Sequence, residues 1–83
     1  MIFHKAEVHE ARQVTEDFVV AIDIAKWCQG KLVEEINPET GDKTPGINVG
    51  TMFGVKRASV GDYIVETIFD EWLVVNEKTY NEG

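Results

Sequence analysis

One stretch of this chain, residues 17–29, carries apolar side chains around a broad helical arc, and the sequence after it is cut into short pieces. Glycine, proline and turn-forming residues leave segments of only four to six residues between breaks. A single helix must therefore be shared among several short strands, which points to the α+β class. Thr15, Glu16 and Asp17 supply cap candidates and negative charge at the helix start. Gly30 follows the last helical position and is the expected left-handed residue that ends it. At ~100° per residue, Trp27, Val20, Ile24, Cys28, Ala21, Ala25, Phe18 and Ile22 fill more than the ~100° stripe that one packing surface needs. Only Asp23, Lys26 and Gln29, interrupted by Val19, form a polar side.

Before the helix, residues 3–14 read as an edge or partly irregular strand, because Phe3, Ala6, Val8 and Val14 do not keep period two. Beyond it, residues 31–36 form a second expected strand. Residues 37–46 hold both prolines and two glycines, and suit the mobile tip of a long hairpin. Further strands are expected at residues 47–51, 55–58, 63–67 and 71–75. The breaks at residues 52–54, 59–62 and 68–70 have lengths suited to tight hairpins. The tail from Asn76 reads as one turn around Tyr80. The chain has no internal repeat and no low-complexity segment. The expected fold is α+β: one helix packed on a mainly antiparallel meander of about five or six short strands, in a single domain, residues 1–83.

Eighty-three residues leave room for one core only, and Cys28 is the sole cysteine, so no intrachain disulfide can reinforce it. A lone thiol suits a reducing compartment, and self-association is the remaining common source of extra burial. A formal charge of −7 repels phosphate backbones and anionic lipid, so neither nucleic acid nor membrane is an expected partner. The first residues lack the apolar stretch of a signal peptide, and nothing approaches the ~18 apolar residues of a membrane span. The expected location is the cytoplasm.

No catalytic spacing emerges. The glycines at 50, 54 and 61 lie among hairpins and not between a strand and a helix, where a phosphate loop would place them. His4, His9 and Cys28 lack the close spacing of zinc ligands, and Cys28 reads as a core residue. Ser59, the only serine, sits in a turn with no marked base. Glu34-Glu35 and Asp70-Glu71 are adjacent on expected strands, so their side chains diverge. No cofactor is implied. In the turn at residues 59–62, Gly61 suits a positive φ, and an Arg57–Asp62 ion pair would pin the hairpin; the other reading makes Arg57 an anion contact.

Several blocks occur together: Trp27-Cys28-Gln29-Gly30, then Arg57-Ala58-Ser59-Val60-Gly61-Asp62-Tyr63-Ile64, Glu71-Trp72-Leu73 and Glu77-Lys78-Thr79-Tyr80. In that order they resemble a group of small phage and prophage proteins with a Pro-Gly-Asp-Tyr motif. Val60 stands where that group has proline, and the connection before Glu77 is shorter. The resemblance implies a phage setting, and with it the host cytoplasm, but no particular chemistry.

Aromatic side chains at turns are the remaining candidates for contact, since a small core seldom covers them and aromatics recur as interface anchors. Trp27, Phe53, Arg57, Phe69 and Trp72 form the expected partner-binding set. The preferred reading is a phage accessory protein that acts by binding a host protein, without catalysis, and is toxic to the host in excess. The alternative is a small-molecule or nucleotide-binding or sequestering domain with a pocket between helix and sheet. A self-associating module, most simply a homodimer, is the third.

Overall fold

The computed structural model describes residues 4–82; Phe3, expected to open the first strand, and the terminal residues Met1, Ile2 and Gly83 lie outside the described residues. After a 3₁₀ turn at Lys5–Glu7, the chain forms β1 (Val8–Gln13), α1 (Phe18–Trp27), β2 (Lys31–Ile36) and β3 (Lys43–Thr51). It continues through β4 (Gly54–Ala58), β5 (Tyr63–Thr67), β6 (Trp72–Val75) and α2 (Glu77–Glu82). The fold is α+β. Its six strands divide between two antiparallel sheets, β1-β5-β6 and β2-β3-β4, and do not run as one meander.

The division arises at residues 59–62, which do not close a hairpin. They form a corner that carries the chain from one sheet to the other, because β5 pairs with β1. The Asp62 amide donates to the Ser59 carbonyl at 2.9 Å, closing a four-residue turn in which Gly61 has φ 96°. Two further bonds of 2.9 Å, Gly61 N to Val14 O and Val14 N to Asp62 O, tie this corner to the buried end of the first strand's extension.

Asp17 caps α1, its carboxylate accepting from the Val19 amide at 2.8 Å. The helix ends with Gly30 N bonded to Ala25 O at 2.8 Å and Gln29 N to Lys26 O at 3.4 Å, the Schellman pattern. The left-handed residue there is Gln29, at φ 57°, and not Gly30 as expected. Gly30 has another task. A Cβ on it would lie 2.8 Å from both Asn48 O and Ile47 Cγ2, so its bare backbone lets the chain cross β3.

The proline-rich loop is also shorter than expected. Lys43, Thr44, Pro45 and Gly46 belong to β3 and pair with residues 33–36 of β2. Pro45 fits because β4 pairs only with residues 47–51, so at Pro45 the strand has a neighbour on one side and no ladder bond is lost on the other.

α1 presses Ala21, Ile24, Ala25 and Cys28 onto Ile47, Val49 and Ala58 of one sheet and Ile64 of the other, with Val14 closing the cluster. Ile24 is therefore covered and Trp27 half-buried, while Val19, Val20 and Ile22 stay exposed. On the opposite face of β5, Tyr63 stacks on Tyr80 of α2, with centroids 3.9 Å apart and planes 10° from parallel. The Lys5 ammonium lies over the same Tyr80 ring at 4.7 Å. α2 is thus the second cover that a one-helix count omits, and Val65, beside Tyr63 on that face, is fully buried. No helix among the described residues is long and apolar enough to cross a membrane.

Candidate functional site

Both hairpin tips are built to the same local plan. At the β3–β4 tip, the Thr51 hydroxyl accepts from the Phe53 amide at 3.1 Å and donates to the Gly54 carbonyl at 2.7 Å. At the β5–β6 tip, the Thr67 hydroxyl accepts from the amides of Phe69 and Glu71, both at 3.2 Å. Each turn then reverses through a left-handed residue, Gly54 at φ 99° and Asp70 at φ 59°. Thr51-Met52-Phe53-Gly54 and Thr67-Ile68-Phe69-Asp70 are therefore one pattern used twice: a threonine lock, an apolar residue, a phenylalanine and a left-handed residue. The lock faces the backbone, so the apolar pair points away from the core. Phe53 is 54% and Phe69 61% exposed, with Met52 and Ile68 exposed beside them.

The two tryptophans behave differently. Trp27 and Trp72 meet edge to face at 5.0 Å, half-buried against the core, and Arg12 lies over the Trp27 ring at 4.6 Å. Their contacts are with each other and with the domain's own core.

Arg57 does not pair with Asp62. Its Nε donates to Asn48 Oδ1, and its terminal nitrogen lies 3.1 Å from Glu35 Oε2, which also accepts from the Ser59 hydroxyl at 3.0 Å. The partner is Glu35 because β2 and β4 flank β3 across Gly46. A Cβ there would come within 3.0 Å of the Glu35 carboxyl carbon and 3.2 Å of Arg57 Cδ. Only a glycine lets the two side chains close over the strand. Asp62 instead accepts from the Ser59 amide at 2.9 Å, inside its own turn. Glu34 lies on the other face of β2 and pairs with Lys43 at 3.6 Å, so the neighbouring glutamates do diverge.

Phe53 and Arg57 line one open groove of about 580 Å³, together with Thr51, Lys56, Asp62, Leu73, Val74 and Asn76. Its walls are β4 and β6, one outer strand from each sheet. Phe69 is not among its lining residues. The alternative reading anticipates a pocket between helix and sheet, but that interface is filled by Ile24, Ala25, Cys28, Ile47 and Val49. Lys56 was not singled out from sequence, because a lone lysine in a strand carries no local signal. Among the described residues it has no carboxylate within ion-pair distance, and no three or more His, Cys, Asp or Glu converge as metal ligands do. Compared with known protein families, characterised proteins and solved structures, the chain matches none.

Proposed function

We propose that this chain is a non-enzymatic accessory protein of the phage type that acts by binding a host protein. The observation that carries the proposal is the pair of locked hairpin tips. Each holds a phenylalanine and a second large apolar side chain in solvent on a turn fixed by a threonine hydroxyl. Side chains presented on a hydrogen-bonded turn lose little further freedom on docking, which is what makes aromatic anchors effective. Toxicity in excess follows if the host protein is essential.

Phe53→Ser and Phe69→Ser test this directly. Both residues are exposed, so each change should alter stability by no more than about 0.5 kcal/mol. The tagged wild-type chain should retain a stoichiometric host protein that the double variant loses, and growth inhibition on overexpression should be lost with it. Retention of the same protein by a folded double variant would sink the proposal.

Self-association is the second reading, carried by Val19, Val20 and Ile22, three large apolar side chains of α1 that stay exposed. A homodimer through these side chains would show twice the chain mass in light scattering at tens of micromolar. Ile22→Glu would return it to a monomer. A wild-type monomer under those conditions removes this reading.

A further inference from the structure

We infer that β1 pairs edge to edge with β1 of a second copy, end for end about a two-fold axis at Ala11, to give a homodimer. The inference goes beyond the host-binding proposal and puts self-association on a surface other than α1.

The backbone leaves this edge open. Among the described residues β1 is an outer strand, paired with β5 alone. The Val14 amide and carbonyl point to the β5 side, where they meet Asp62 O and Gly61 N. Antiparallel alternation turns Arg12 the same way and leaves the amides and carbonyls of Ala11 and Gln13 facing outward. Such groups are a template for a further strand.

Charge decides which strand. Glu10 and Arg12 share one face of β1, at the rim of the core, for Arg12 stands opposite Ile64 and over the Trp27 ring. A two-fold at Ala11 sets each Glu10 directly opposite Arg12 of the other copy, in the closer kind of cross-strand pair, with Cα atoms about 4.5 Å apart. Arg12 gives its Nε to its own Glu10 at 2.6 Å, and among the described residues its terminal nitrogens have no carboxylate. Glu10 also stands directly across from Glu66 of β5, a like-charge opposition that a second cation on its outer side relieves.

The other outer strands match themselves less well. β4 carries only cations, Lys56 and Arg57, which end-for-end pairing would bring together. On β2 the carboxylate that would meet Lys31 of a second copy is Glu35, and it is turned across β3 to Arg57. β6 has no charge to select a partner and lies against β3 and β4. A bulge between Val8 and Glu10 shortens the free edge of β1 without reaching Ala11–Gln13. With so short a ladder and a charge of −7 on each copy, association is weak, and it belongs to high protein concentration.

Sedimentation and amide exchange up to hundreds of micromolar supply the test. The wild-type mass should rise towards twice that of the chain, and exchange at Ala11 and Gln13 should slow with concentration. Glu10→Arg and Arg12→Glu should each be monomeric with a dispersed amide spectrum, because each opposes like charges across the axis. Mixed together, the two variants should form a heterodimer, since every opposed pair is then unlike while the pair within each chain stays broken. A wild-type monomer throughout, exchange at Ala11 and Gln13 that ignores concentration, or a mixture no heavier than its components would overturn the inference. A dimer lost on Ile22→Glu but kept by both charge variants belongs to α1 and removes this inference alone. None of these outcomes bears on a host protein that depends on Phe53 and Phe69.

Discussion

Gln29 and Gly30 divide between them two tasks that a single glycine usually performs at a helix end. Gln29 adopts φ 57°, which for a residue with a Cβ costs roughly 1 kcal/mol. Gly30 makes room for β3. Gln29→Gly should therefore raise stability by about 0.5–1 kcal/mol. Gly30→Ala should lower it by about 1–3 kcal/mol, because its new methyl group meets backbone and a packed isoleucine. Urea melts of the two variants give the comparison; a destabilised Gln29→Gly would refute the assignment. Cys28 makes a second prediction at this scale. Burial raises its thiol above the ordinary value of 9.0, an effect partly offset by backbone hydrogen bonding with Gly30. The folded state then holds that proton more tightly than the unfolded chain. Its contribution to stability is complete below about 9.0 and is lost as the pH climbs through the raised value. Alkylation of native Cys28 at neutral pH should be slow and should accelerate on adding denaturant, whereas a rate matching free cysteine would contradict its burial.

At the scale of elements, the turns decide how the strands are joined. The corner at residues 59–62 has the hydrogen bond and positive φ at its third position that characterise a type II turn, which favours proline at the second. Val60 occupies that second position, and among the described residues its amide has no backbone hydrogen-bond partner. Val60→Pro should therefore stabilise by about 0.4–1 kcal/mol. Gly61→Val puts a β-branched side chain at φ 96°, and should cost more than any gain from the proline. The space around Gly61 is open, its nearest neighbour to a new Cβ being Glu77 Oε2 at 3.8 Å, so the loss would be backbone strain and not a clash. Thermal melts that coincide for the two variants would show that the corner is not this turn.

Across the whole molecule, both sheets and α1 contribute to one buried cluster, and no element owns a separate core. Unfolding should therefore be a single transition. Trp27 belongs to α1 and Trp72 to β6, so their contact at 5.0 Å makes tryptophan fluorescence a reporter of helix-to-sheet docking. Fluorescence and far-ultraviolet circular dichroism should trace the same urea curve; separate midpoints would mean that α1 undocks before the sheets melt. The apolar surplus that argued for a dimer also shrinks at this scale. Val65 is satisfied within the chain, and the large apolar side chains left exposed are Val19, Val20 and Ile22 of α1, those of the two hairpin tips, and Ile36, Val55 and Val60.

The position of α1, the extents of β2 and β5 and the exposed phenylalanines of the tips were all readable from residues close together in the chain. Each depends on apolar spacing, a cap or a turn residue acting over a few positions. The repeated Thr-apolar-Phe pattern was equally local and equally visible, but four residues are too few to register as a repeat until both threonine hydroxyls are seen locking the turns. Other features had no local signature. The pairing of β1 with β5, the choice of Glu35 over Asp62 by Arg57, the closeness of Gly30 to β3 and the docking of Tyr80 on Tyr63 each join residues distant in sequence. So does the bond from Gln13 to Glu77, which spans 64 positions. Such contacts are selected only when all the elements compete for the same limited core. Local sequence therefore determined which elements exist, and tertiary packing decided which edges they share and which side chains are left to meet a partner.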